Sequence, residues 1–219
     1  HAVKSVIASS GGVEVFLSGH GNNHTIKGAK IVFAIPTTVL KNIKVNPGFS
    51  KEKSLSIQNQ SYGHVMKIAM QFQQRFWNSN NSVGQRVFTD TPLRRVYHFS
   101  IDQPGPRGIL LSFTSGSDAR KLGVLSEKNR MKISKESCKN IWNNSNNFWE
   151  YGISKYWNED KWIKASYSLK GIGQKGYRDI LAKTEKPFYF AGEHTAINYA
   201  SMDGAIESGI RASNEIKMT

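Results

Sequence analysis

Phe188-Tyr189-Phe190-Ala191-Gly192-Glu193-His194-Thr195, followed by Met202-Asp203-Gly204-Ala205-Ile206-Glu207-Ser208-Gly209-Ile210-Arg211-Ala212, is the stretch on which the reading of this chain turns. An apolar, aromatic run of strand length breaks at Gly192, and the segment from Met202 to Ile216 reads as a helix. A carboxylate, Glu193, therefore stands at the carboxyl end of a buried strand, with a helix N-terminus about ten residues further on. That arrangement grips cofactors in open α/β sheets. Gly204, Ala205, Ser208, Gly209 and Ala212 let the helix approach its neighbour closely. Tight packing alone explains these small residues, but it does not explain a glutamate in an apolar setting.

Working outward, the chain reads as strands around helices. Val3–Ala8 and Val13–Ser18 are β-branched runs joined by Ser9-Ser10-Gly11-Gly12, a hairpin signal. Ala29–Ile35 is a buried strand ended by Pro36, after which Thr37 or Thr38 caps a short helix from Val39 to Ile43. Pro47-Gly48 opens a connection toward Ser54–Gln60. Val65–Phe72 alternates as a strand that is apolar on one face and mixed on the other, with Lys67 in its middle. A polar loop is expected at Asn78–Ser82, and strands at Arg94–Phe99 and Gly108–Thr114, separated by the turn Gln103-Pro104-Gly105-Pro106. Residues 126–142 lack helix breakers and form an amphipathic helix that Asn143–Asn147 ends. Gly171-Ile172-Gly173-Gln174-Lys175-Gly176 satisfies the dinucleotide pattern G-x-G-x-x-G. The buried strand before it and the long helix after it are missing, so an irregular loop is the favoured reading.

Composition narrows the partners. The chain has 219 residues, 38% hydrophobic and 21% charged, an ordinary globular balance. Lys and Arg number 30 against 16 Asp and Glu, giving a net charge of +14 and a pI near 9.9. Such an excess invites an anionic partner. Arg75-Phe76-Trp77 and Lys155-Tyr156-Trp157 interleave cations and rings, as single-strand nucleic-acid binders do. The basic residues are nevertheless spread along the whole chain without a dense basic helix, which favours solvated lysines with core aromatics. No stretch approaches the roughly 18 apolar residues of a membrane span. The start at His1, without an initiator Met or a signal-peptide layout, leads us to expect a chain that begins within a longer protein. Cys138, the single cysteine, excludes an intrachain disulfide and a multi-cysteine zinc site, and nothing around it marks a nucleophile. No metal site is expected.

The C-terminal motif closely resembles that of the flavin-containing amine oxidases, the monoamine oxidase and L-amino-acid oxidase family, with the L-amino-acid oxidase branch fitting best. Gly63-His64-Val65-Met66-Lys67-Ile68 with Phe76-Trp77, and Thr89-Asp90-Thr91-Pro92-Leu93-Arg94-Arg95-Val96-Tyr97, resemble its later elements in the same order. The chain matches roughly the second half of such an enzyme. The N-terminal glycine-rich elements of the family, and its carboxylate-binding arginine, have no counterpart here.

The resemblance implies an α+β or α/β fold: part of a Rossmann-like FAD domain (1–45 and 186–219) and a substrate domain (46–185) with a mixed sheet flanked by helices. It assigns Val3, Trp157, Gly192, Glu193 and Met202 to FAD and Lys67 to catalysis through a water beside the flavin. Tyr97, Ser166, Ala200 and Ser201 fall to the substrate. Ser201 stands where the amino-acid oxidases commonly carry tryptophan, and Ala165-Ser166 stands near a typical glycine-apolar pair. The pocket is therefore expected to be roomy and polar, suited to a larger or polar amino acid or an amine. The implied partners are FAD, that substrate, oxygen, and the N-terminal half or another chain of the same enzyme. A homo-oligomer is compatible with this reading, whereas membrane and nucleic acid are not called for. The compartment, cytoplasmic or secreted, stays open.

Overall fold

The computed structural model describes residues 1–19, 21–78 and 86–218. In chain order the strands are β1 (Ala2–Ser9), β2 (Gly12–Gly19), β3 (Asn22–Gly28), β4 (Ile31–Phe33), β5 (Lys44–Asn46), β6 (Ser61–Tyr62), β7 (Val65–Phe72), β8 (Arg86–Phe88), β9 (Arg95–His98), β10 (Gly108–Ser115), β11 (Trp149–Tyr156), β12 (Ser168–Leu169) and β13 (Phe188–Phe190). The helices are α1 (Thr37–Leu40), α2 (Lys51–Asn59), α3 (Gly116–Gly123), α4 (Glu127–Ile141), α5 (Tyr177–Ala182) and α6 (Met202–Lys217). Two compact units result: His1–Tyr62 with Lys161–Thr219, and Gly63–Asp160. The division at 45/46 and 185/186 drawn from the sequence concerns roles, which these units do not by themselves assign.

In the first unit β1 and β2 form the expected hairpin, with Ser9 paired to Gly12 and Gly12 at φ +117°, where only glycine is at ease. β3 prolongs the meander on the far side of β2, and β5 adds to β1 in parallel. β13 pairs in parallel with β4, Tyr189 against Val32. Phe33, Phe188 and Phe190 from these two strands meet Phe49 with ring centres 5.5 to 5.9 Å apart. The first helix starts at Thr37, two residues before the expected position, and no threonine caps it. The Thr37 N–H donates to the Tyr62 hydroxyl at 3.1 Å, and the Thr38 hydroxyl donates to the Ile163 carbonyl. Both threonines are spent on tertiary bonds, and Pro36, with its fixed φ, begins the turn.

The second unit is a five-stranded sheet in the order β11-β7-β10-β9-β8. It was expected to be mixed, yet every pairing in it is antiparallel. The parallel pairings belong to the first unit, so the α+β class holds with the mixture on the other side. Met66, Ile68, Met70 and Phe72 of β7 are fully buried and pack with Ala119 and Leu122 of α3 and Cys138 of α4. Lys67, Ala69 and Gln71 alternate onto the opposite face. α4 begins at the Ser126 cap, whose hydroxyl accepts the Asn129 N–H, and the helix ends at Ile141, close to the expected bounds. Burial pushes the Cys138 thiol up to about 12, which agrees with its reading as inert. The polar loop expected at Asn78–Ser82 lies, apart from Asn78, outside the described residues.

Candidate functional site

The strand-to-helix junction of the first unit is held by Glu193. One carboxylate oxygen accepts the Ser168 N–H at 3.0 Å. The other accepts the Ser168 hydroxyl at 2.7 Å and the Ala200 N–H at 2.7 Å. A carboxylate has about four acceptor positions, so three protein donors leave room for one more. Gly192, at φ +122°, has the His194 ring so close that a Cβ would lie 2.6 Å from Cε1. Its N–H donates to the Ser208 hydroxyl of α6 at 2.8 Å. Gly204 is equally constrained, because a Cβ there would collide with the Asn198 carbonyl oxygen. Arg211 ties α6 back to the strand, donating to the Phe190 carbonyl at 2.8 Å and the Thr195 hydroxyl at 3.0 Å.

The N-terminus of α6 is open. Ser201 is its cap, accepting the Gly204 N–H at 3.0 Å and donating to the Asn198 carbonyl at 2.6 Å. Ala200 precedes it with φ +60°, a left-handed strain that a non-glycine residue tolerates only where its surroundings enforce it. The Met202 side chain is 86% exposed. Among the described residues no acceptor faces the Met202 or Asp203 N–H. Two free N–H groups and the helix dipole suit an anionic or carbonyl-rich group such as a flavin pyrimidine edge. The residues present therefore fit a flavin. Among the described residues, none hydrogen-bonds the buried Ser166 hydroxyl. Val3 lines a separate cleft of about 720 Å³ with Ile35 and Trp162.

His194 is 7% exposed. Burial pushes its imidazole down to about 4; Glu193 opposes this, while Arg211 and Lys53 add to it. The ring is thus neutral in the folded protein at pH values where it would be protonated in the unfolded chain. Because the unfolded state binds the extra proton, this group's contribution is present above pH 6.5 and is lost as pH falls from 6.5 toward 4. Unfolding midpoints measured from pH 7 to 4 are expected to fall in the native protein and to fall less in His194→Asn. Parallel profiles would refute this.

Lys67, Tyr97 and Trp157 belong to the second unit. Lys67 is half-buried, with Nζ 3.7 Å from the centre of the Phe113 ring. Burial first, and the Arg95 guanidinium second, hold its ammonium below the usual lysine value. Lys67 pairs with Phe113 and Ala69 with Leu111, and Leu111 faces Tyr97, so Lys67 and Tyr97 share one face of the sheet. His98 points to the other face, buried against Trp77. Trp157 follows β11, with the Lys155 ammonium 5.3 Å from its ring centre. The G-x-G-x-x-G segment is the loop expected, and it lines a cleft of about 490 Å³ together with His194 and Tyr199. Sequence reasoning missed Ser168 and Arg211 as partners of the junction, since neither carries a local signal.

Comparison with known proteins accords with this geometry. The profile of the flavin containing amine oxidoreductases matches residues 1–217, and the chain belongs to that family. It is 29% identical over 215 residues to the flavin-dependent L-tryptophan oxidase RebO of Lentzea aerocolonigenes, covering 91% of this chain and 44% of that protein. It is 27% identical to polyamine oxidase 3 of Oryza sativa subsp. japonica, covering 100% of this chain and 45% of the relative. A solved structure of putrescine oxidase superposes with a TM-score of 0.85 at 20% identity, over 99% of this chain and 48% of that one. The chain thus spans about half the length of these relatives. Membership assigns a flavin cofactor, FAD, as expected from the motif. No helix among the described residues is long and apolar enough to cross a membrane.

Proposed function

We propose that this chain forms the C-terminal part of an FAD-dependent oxidase acting on the amine of an L-amino acid or another amine. The observation that carries the reading is the open N-terminus of α6, held by Gly192, Glu193 and Gly204 in a chain that belongs to the flavin containing amine oxidoreductases. When bound, FAD accepts a hydride equivalent from the carbon bearing the amine and passes two electrons to oxygen, yielding hydrogen peroxide. The resulting imine takes up water and releases ammonia, leaving a 2-oxo acid where the substrate is an amino acid.

The chain's own residues supply position and field. The Met202 N–H would donate to the flavin pyrimidine edge, Glu193 would accept a hydrogen bond from a cofactor hydroxyl, and Val3 and Trp157 would hold the adenine and the ring system. Lys67 holds a water by hydrogen bond and adds positive charge where oxygen is reduced. Tyr97 donates its O–H to the substrate, and Ser166, Ala200 and Ser201 line a roomy polar pocket. Residues 1–45 and 186–219 serve the cofactor and 46–185 contain the substrate part. The Ser168–Glu193 bonds favour extending the cofactor part to all of the first compact unit. The remaining half of the enzyme completes the FAD site.

The test is absorbance and product release on the native protein. A yellow protein is expected, releasing peroxide and ammonia in equal amounts from larger or polar amino acids or amines. Turnover confined to small apolar amino acids would remove the pocket assignment. A colourless native protein without peroxide release would remove the whole reading.

A further inference from the structure

The outer face of α4 is a line of lysines. Lys128, Lys132, Lys135 and Lys139 follow one another at intervals of four, three and four residues. On a helix those intervals put all four within an arc of about 60° and along about 16 Å of the axis. Arg130, Ser134, Ser137 and Cys138 are the buried side of the same helix, so the line stands opposite the core. Lys128, Lys132 and Lys139 are exposed. Lys135 is half-buried, its ammonium 5.8 Å from the centre of the Trp149 ring. Other cations of this unit have carboxylates: Arg94 pairs with Asp118, Arg107 with Glu150, Lys155 with Asp160 and Arg130 with Glu159. On α4 itself, Glu127 turns to Ser154 and accepts its N–H at 2.6 Å. Glu136 flanks the line without pairing to it. Among the described residues, no carboxylate pairs with these four ammoniums.

Lys128 with Lys132, and Lys135 with Lys139, are like charges four residues apart, which destabilise the helix that carries them until an anion relieves the repulsion. We infer that this face of α4 is a docking surface for a linear sulfated polysaccharide. A straight row of point charges matches a chain of fixed anions. Each ammonium offers three donors on a flexible stem that adjusts to sulfates of uneven spacing. Asn140, Asn143 and Asn144, all exposed, continue the polar surface past Lys139 and can hydrogen-bond sugar hydroxyls. A lipid surface would call for apolar side chains to insert, but Met131, Ile133 and Ile141 of α4 pack toward the core instead. A single nucleic-acid strand would call for an open stacking ring, whereas Trp149 meets Phe72 edge-on and carries Lys135.

Calorimetric binding of a heparin oligosaccharide to the native protein tests this. Raising the salt concentration fourfold is expected to weaken binding by about 50-fold, the scale of four released counterions. Lys128→Gln, Lys132→Gln, Lys135→Gln and Lys139→Gln combined should lower affinity on the order of 10²-fold at about 0.15 M salt and cut the salt effect to a few-fold. Arginine at the same four positions keeps the charge and should retain binding within about 3-fold. As a control of equal charge, Lys41→Gln, Lys44→Gln, Lys51→Gln and Lys186→Gln combined remove four exposed lysines of the first unit and should change affinity by no more than about 2-fold. Unfolding midpoints equal to the native one separate lost docking from lost folding. Equal losses in the two glutamine variants would overturn the inference. So would tighter binding of the native protein to duplex DNA, or to phosphatidylserine vesicles, than to heparin.

Discussion

Lys53→Met is expected to lower the stability of the folded protein by about 3 kcal/mol. Lys53 lies on α2 with no exposed surface. Its ammonium donates to the carbonyls of Ile180 at 2.7 Å, Leu181 at 3.1 Å and Lys183 at 2.6 Å, and it stands 3.7 Å from the Phe190 ring centre. It thus caps the C-terminal carbonyls of α5 and closes the aromatic cluster that carries β13. Removing it orphans three acceptors at about 1–3 kcal/mol each, offset in part by relief of a buried charge. Denaturant midpoints of the native protein and the variant decide the matter, and equal midpoints would sink it. The pH dependence supplies a second signature. Burial pulls the Lys53 amine down to about 8 from its ordinary 10.5. Between these values the unfolded state holds the extra proton, so this group's contribution to stability rises with pH. The gap between the native protein and Lys53→Met should therefore widen from pH 8 toward 10.5.

Lys67→Met is expected to slow the return of the reduced enzyme to its oxidised colour in air on the order of 10²-fold, the scale of losing one preorganised charge. The ammonium is held on the sheet face by Phe113 and kept from full solvation. In the role proposed for it, it stabilises negative charge developing on oxygen. Bleaching by substrate in the absence of air should change by only a few-fold, because a deprotonated amine needs no protein base to give up its hydride. Rapid-mixing absorbance separates the two half-reactions. Equal recovery rates in air for the native protein and the variant would remove Lys67 from the mechanism, whatever its effect on overall turnover.

The legible parts of the fold were those with local chemistry to mark them. The hairpin of β1 and β2 is flanked by β-branched residues around two glycines. β7 alternates cleanly, and α4 runs from a serine cap to an asparagine-rich end. β3 is hard to read because it is a solvated edge strand with little apolar period, and β11, also an edge strand, sets its alternating Tyr151 and Ile153 toward the exposed face rather than the core. β11 also contains Gly152, a residue depleted in strands, which is required because a Cβ there would lie 2.5 Å from the Met131 sulfur. Nothing in Lys51-Glu52-Lys53-Ser54 announces that its second lysine is buried. Amphipathic charge in a helix normally faces water, and only the carbonyls converging from α5 reverse this.

By itself the sequence determined the class of the protein and its flavin, because Gly192, Glu193 and Gly204 are tied to backbone conformation and close approach. Those demands leave a fixed spacing of residue types along the chain. The tertiary structure decided which groups meet: Glu193 with Ser168 and Ala200, Lys53 with the end of α5, and Arg95 with Phe113 and Lys67. Apart from the short reach from Glu193 to Ala200, those contacts join residues far apart in the chain or on neighbouring strands. Their energies come from burial and strand register, which no local pattern encodes.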